Sequence, residues 1–224
     1  MIPTDQLTRT KLFHITHVGN LESILSDGNL YPKNAIKAEK IHTIANEDVQ
    51  RRRAATLVPL PPAGNLHDYV PFYFAPRSPM LFCNYKGTHA DASPQEEIIY
   101  LCTTAQNVAA NHQYLFYDRH AILTHAQSFN QLSDLEEIEW SLFFEPPTLD
   151  GFSKYWQDRS DAAHPTWIYR MEVRQAEFLV HQQLDIEAIE TIAVSNRTMK
   201  EAVEATLQAH GSELKVLIKP EWYY

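Results

Sequence analysis

Lys11-Leu-Phe-His-Ile-Thr-His-Val-Gly-Asn-Leu-Glu-Ser-Ile-Leu-Ser-Asp-Gly28 changes its hydrophobic period partway along. Lys11 to Thr16 reads as a strand, whereas from Asn20 onward Leu21, Ile24 and Leu25 fall on one helical face and Gly28 supplies a stop. The chain therefore starts β-α. Further strands are predicted at Pro71–Ala75, Glu97–Thr103, Tyr114–Tyr117, Glu177–Gln182, Thr191–Ser195 and Leu214–Ile218, short runs rich in β-branched and aromatic residues. The clearest helix is predicted over Met199–Ala209. A capping box of Thr198 and Glu201 would open it, Met199, Ala202, Val203 and Leu207 would form its buried stripe, and Gly211 would end it. Strands thus outnumber long helices and are not regularly interleaved with them. Because a Gly-x-Gly-x-x-Gly or Walker loop is also missing, a doubly wound nucleotide fold is excluded. The pattern predicts an α+β fold with a split, mainly antiparallel β-sheet core and flanking helices.

Composition supports a folded chain. Of 224 residues, 44% are hydrophobic and 11% aromatic, enough for a core, and a mean hydropathy of −0.36 with 21% charged residues lacks the signature of disorder. The 13 Pro against 6 Gly predict long, stiff connections. The one linker-like stretch, Val58-Pro-Leu-Pro-Pro-Ala-Gly-Asn65, runs straight into the aromatic segment Tyr69-Val-Pro-Phe-Tyr-Phe74, so it reads as a structured loop and residues 1–224 as one domain. The stretch from Met1 to Lys11 has no apolar secretory core and no run of about 18 apolar residues occurs, so the expectation is a cytoplasmic protein with no membrane partner. Cys83 and Cys102 have no motif spacing and read as buried small hydrophobes. The net charge of −9 disfavours nucleic-acid binding through bulk electrostatics. Its distribution matters more: residues 1–60 carry net +2 and residues 125–168 net −6. A polyanion site is therefore expected near the N-terminal segment, whose densest basic feature is Arg51-Arg52-Arg53.

Few residue patterns point to chemistry by themselves. His14 and His17 have a helical metal-binding spacing, but on a strand their rings face opposite ways, so no metal is expected. Asp134-Leu-Glu-Glu-Ile-Glu139 reads first as a solvated helix start. No Gly-x-Ser-x-Gly elbow or Cys/His nucleophile pattern is present. Glu177 directly precedes an apolar strand, where a carboxylate is costly unless something pairs with it or uses it. On pattern alone, a structural salt bridge is the leading account of it.

Taken in order, several blocks resemble the DarT family of DNA ADP-ribosyltransferase toxins over nearly the whole chain. They are Phe13-His-Ile-Thr-His17 with Asn20-Leu-Glu-Ser-Ile-Leu25 and Gly28; Arg51–Arg53 before Val58-Pro-Leu-Pro-Pro62; Leu66-His-Asp-Tyr-Val-Pro-Phe-Tyr-Phe-Ala-Pro-Arg-Ser-Pro-Met80; Tyr117-Asp-Arg-His-Ala121; Ile138-Glu-Trp140; and Arg174-Gln-Ala-Glu-Phe-Leu-Val180. The third is the most specific.

The resemblance implies an ADP-ribosyltransferase fold that cleaves NAD at the nicotinamide bond and transfers ADP-ribose to a base in single-stranded DNA. It also implies a macrodomain antitoxin, DarG, as partner. By position, His14, Ile15 and Thr16 match the strand segment that contacts NAD, in a form similar to the His-Gly-Thr of poly(ADP-ribose) polymerases, and Asn20 and Tyr73 would complete that pocket. Glu177 matches the catalytic glutamate. Arg53 matches the catalytic arginine through its spacing to Val58, with Arg52 as the alternative register. In those roles the carboxylate would stabilise an oxocarbenium-like transition state, and the arginine the anion that forms as a thymine ring nitrogen loses its proton. His120 would help position or deprotonate the base, or is a core histidine. Arg51, Arg52 and Arg77 would supply a basic track for DNA, with Tyr69, Phe72 and Tyr73 as stacking platforms unless they are core. Thymidine is the leading acceptor. Guanine, an RNA or protein acceptor, plain NAD hydrolysis and a silent binding module stay open, although intact Glu177 and Arg53 argue against the last.

Overall fold

The computed structural model describes residues 9–36, 41–143 and 169–224. The extreme N-terminus, where no secretory signal is expected, and the later part of the acidic 125–168 stretch lie outside these residues. In chain order the first elements are β1 (Lys11–His17), α1 (Leu21–Asp27), β2 (Asn29–Leu30), α2 (Glu47–Ala55), β3 (Tyr69–Tyr73), α3 (Pro79–Lys86), β4 (Ile98–Thr104) and α4 (Ala105–Ala109). Then come β5 (Tyr114–Tyr117), β6 (Ser128–Phe129), α5 (Arg170–Val173), β7 (Glu177–His181), β8 (Leu184–Asp185), β9 (Thr191–Val194), α6 (Arg197–Ala209) and β10 (Lys215–Ile218).

Eight strands form one sheet in the order β10-β9-β4-β1-β3-β7-β5-β6, while β2 and β8 pair separately. All neighbours in the large sheet are antiparallel except β9 and β10, which are parallel and separated in sequence by α6. Strand β1 pairs with β4 from Lys11↔Thr104 to His17↔Ile98, and β3 pairs with β7 from Tyr69↔His181 to Tyr73↔Glu177. Between β1 and β3, in contrast, the register holds at a single pair, Phe13↔Tyr73. The sheet is therefore split down its middle.

That split explains Pro71. A proline inside a central strand would break a ladder, because it has no N–H to donate. Here the β1 side of Pro71 has no ladder to break, and its carbonyl accepts instead from His14 Nδ1 at 2.8 Å. Both faces of the sheet are covered. Phe72, Phe116, Phe178, Val203 and Leu207 belong to one buried cluster and Phe13, Ile15, Tyr100 and Trp222 to another.

Several expected boundaries shift. Strand β3 begins two residues earlier than predicted and ends at Tyr73. Helix α6 opens at Asn196, whose side chain accepts from the Met199 N–H, so the Thr198–Glu201 capping box does not form. Ala202 is exposed, and the helix buries Val203 and Leu207. Tyr69 and Phe72 are core residues, not stacking platforms, as their near-zero exposure requires. Cys102 is buried as expected, but Cys83 is only half-buried. Among the described residues, no helix is long and apolar enough to cross a membrane.

Candidate active site

Val49 is the one large apolar residue of helix α2, so the helix rests chiefly on its ends. Asn46 caps it by accepting from the Asp48 and Val49 N–H groups, Glu47 and Asp48 occupy its first turn, and Arg52 and Arg53 its last, each matching the helix dipole. Asn46, Val49, Gln50 and Arg53 recur at helical spacing and face a cleft of about 130 Å³ at the split in the sheet. One of three consecutive arginines is thereby turned inward. Gln50 anchors this face through a 3.0 Å contact between its Oε1 and His67 Nε2.

Across the cleft, Glu177 is the first residue of β7, held between its register partners Tyr73 and Tyr117. Arg53 Nη1 donates to both Glu177 oxygens at 2.8 Å. The two residues are only 7% and 3% exposed. Burial opposes the charge on Arg53, but the Glu177 carboxylate more than offsets it and raises the Arg53 pKa. Arg53 Nη2 is buried without a hydrogen-bond partner among the described residues. The pair thus keeps a guanidinium face available for an anion or carbonyl entering the cleft.

His14 and His120 flank this pair. Burial pushes His14 down to about 4, with the Pro71 hydrogen bond acting weakly the other way. Because a carbonyl only accepts, His14 Nδ1 carries the proton and its Nε2 is left as an acceptor at the cleft wall. His120 Nδ1 lies 3.8 Å from Glu177 Oε1 and makes no hydrogen bond among the described residues. Burial lowers the His120 pKa more than the Glu177 carboxylate raises it. It is a neutral imidazole with a free nitrogen beside a carboxylate, the form a proton acceptor requires. Burial also raises the phenols of Tyr73 and Tyr117, the latter to about 12, so both stay protonated.

The remaining expected site residues divide. Ile15 and Tyr73 line the cleft. Thr16 and Asn20 lie behind it: Asn20 Nδ2 donates to Thr16 Oγ1 and the His42 carbonyl while its Oδ1 accepts from the His42 N–H, so the Asn20 amide is spent on holding the 41–46 segment against β1. Arg51 and Arg52 are exposed on α2, and Arg51 pairs with Asp48. Arg77 does not join them. It is 5% exposed, and its guanidinium donates to the Glu221 carbonyl, which removes it from any surface track. Sequence reasoning missed Gln50, Tyr117 and His89, the last of which lines the cleft with both ring nitrogens buried and without a hydrogen-bond partner among the described residues. A lone Gln, Tyr or His gives no periodic signal that would have found them. Among the described residues, no group of three or more His, Cys, Asp or Glu is placed to hold a metal ion.

A buried carboxylate beside a guanidinium with spare donors can stabilise positive charge on one reacting atom and negative charge on another. Comparison with known proteins bears on which atoms these are. A family model described as "ssDNA thymidine ADP-ribosyltransferase, DarT" matches residues 13–224. A DNA ADP-ribosyl transferase of Thermus sp. (strain 2.9) is 38% identical over 218 residues, 96% of each chain. Thermus sp. 2.9 DarT in complex with ADP-ribosylated ssDNA superposes with a TM-score of 0.85 at 37% identity, covering 96% of this chain and 97% of that one. The same protein in complex with NAD+ superposes with a TM-score of 0.79 at 35% identity, covering 96% and 98%.

Proposed function

The chain belongs to the DarT family, and from that premise we propose that the cleft between α2 and the split sheet is where it transfers ADP-ribose from NAD to thymine in single-stranded DNA. The protein is an NAD-dependent DNA ADP-ribosyltransferase with NAD as substrate. The observation that carries the assignment to this cleft is the buried Arg53–Glu177 pair, which shares the cleft with His14. Residues 1–224 act as one DarT-like unit.

In this reading the bond from ribose C1′ to the nicotinamide nitrogen breaks, and its electron pair leaves with the pyridine ring and neutralises it. Positive charge then builds on C1′ and the ring oxygen, and Glu177 stabilises it. His14 Nε2 accepts from a ribose hydroxyl and Tyr73 packs against the dinucleotide. Arg53, through Nη2, holds the thymine carbonyl whose oxygen gains charge as the ring nitrogen loses its proton. His120 takes that proton and releases it to water after the bond to C1′ has formed. Thr16 and Asn20 act indirectly, by fixing β1 and the 41–46 segment. Arg51 and Arg52 contact DNA phosphates. The adduct blocks replication, which makes the protein a toxin, and a macrodomain antitoxin of the DarG kind reverses it.

Incubation of the protein with NAD and short single-stranded oligonucleotides that each lack one base, followed by mass spectrometry, tests the acceptor. The adduct is expected to vanish only from the thymine-free oligonucleotide. An adduct that follows guanine, or release of nicotinamide with no DNA adduct, would overturn the thymidine assignment.

A further inference from the structure

His89 occupies an unusual position. It follows α3, whose helix end is closed by Gly87, and the loop that carries it is fixed on both sides: Thr88 N donates to the Cys83 carbonyl, Ala92 N to the His89 carbonyl, and Ser93 N to Asn84 Oδ1. Asn84 in turn donates to the Ile44 carbonyl, which ties this loop to the segment leading into α2. The backbone is therefore anchored while the ring is not. Both imidazole nitrogens are shielded from solvent at the cleft wall and neither has a partner among the described residues. Two unsatisfied buried polar atoms on one side chain are costly, and a native protein retains such a group where a ligand or water completes it.

The surroundings define what completes it. Met80 and Cys83 from α3 and Tyr73 from β3 line the same cleft. Among the described residues, the charged side chains lining it are Arg53 and Glu177, which pair with each other. Among the described lining residues the one cation, Arg53, is shared with Glu177 and leaves only Nη2 for an incoming anion or carbonyl, which suits a doubly charged diphosphate poorly, whereas a flat ring with an amide fits a wall of thioether, thiol and phenol. A volume of about 130 Å³ encloses one end of a dinucleotide, not the whole. We propose that His89 is a substrate-contact residue that hydrogen-bonds the carboxamide of the nicotinamide ring and so selects NAD over molecules lacking that group. This rests on the assignment of the cleft to NAD. An imidazole offers one donor and one acceptor, and an amide answers either.

The test compares binding of carba-NAD, which resists cleavage, and ADP-ribose, which lacks nicotinamide, by calorimetry with the full chain. Wild type binds carba-NAD if the cleft assignment holds, and failure of that control overturns both readings. For His89→Phe, carba-NAD affinity is expected to fall about tenfold while ADP-ribose affinity stays within about twofold. His89→Gln, which keeps a donor and an acceptor, should recover most of the carba-NAD affinity, and it carries the test if the Phe variant does not fold. Unchanged carba-NAD binding in His89→Phe, or an equal loss for both ligands, would overturn the role of His89 alone.

Discussion

Glu177 and Arg53 each bury a charge that the other neutralises, which fixes how substitution acts. Removing one partner strands the other, and such stranding costs about 3–5 kcal/mol, whereas removing both relieves it. Arg53→Met and Glu177→Gln should each lower stability in urea unfolding by about that amount, and the double variant by at least about 2 kcal/mol less than their sum. Strict additivity would mean that the pair is not coupled. The histidines add a pH dependence of definite sign. His14 and His120 are held below the ordinary value of 6.5, so the unfolded chain binds protons more readily than the folded one as pH falls. Stability is full above about pH 6.5 and declines as the pH drops towards 4. For His14 alone the loss is roughly 3 kcal/mol at the acid end, from its displacement to about 4. His14→Gln should flatten that decline, and an unchanged acid profile would contradict the buried neutral form.

Helix α6 shows how capping decides a boundary that periodicity cannot. Its cap is Asn196, so Asn196→Ala should cost about 1 kcal/mol in thermal or urea unfolding while Thr198→Ala costs only a few tenths. The reverse order would restore the capping box read from the sequence. The elements legible in the sequence were those with a strong period or a β-branched run: β1, α1, β4, β5, β7, β9, β10 and the body of α6. Helix α2 was not legible as a helix, because its inward stripe of Asn46, Val49, Gln50 and Arg53 is mostly polar and has no hydrophobic period to detect. What the sequence held there was the arginine run, and helical geometry selects Arg53 from it. Strand β3 was displaced in the reading because Pro71 argues against an interior strand until the sheet is known to be split beside it. Arg77 illustrates the opposite error: a charge read as surface is tied to the Glu221 carbonyl.

The molecule as a whole carries −9, yet its substrate is a polyanion. The reconciliation is spatial: α2 presents Arg51 and Arg52 outward and Arg53 inward, so one short helix joins an exposed basic edge, proposed to meet DNA, to the proposed reacting centre. The split sheet completes the arrangement, since β1 supplies His14 on one side of the opening and β3 and β7 supply Tyr73 and Glu177 on the other. The account turns on that pair of buried charges acting as the reacting centre. The most direct test is the rate of ADP-ribose addition to a thymine-containing single-stranded oligonucleotide by wild type, Glu177→Gln and Arg52→Ala, each checked for folding and for carba-NAD binding. Glu177→Gln is expected to lose at least about 10²-fold in rate while still binding carba-NAD, with Arg52→Ala retaining most of the rate at saturating DNA. A folded Glu177→Gln protein within about tenfold of wild type would place the chemistry elsewhere.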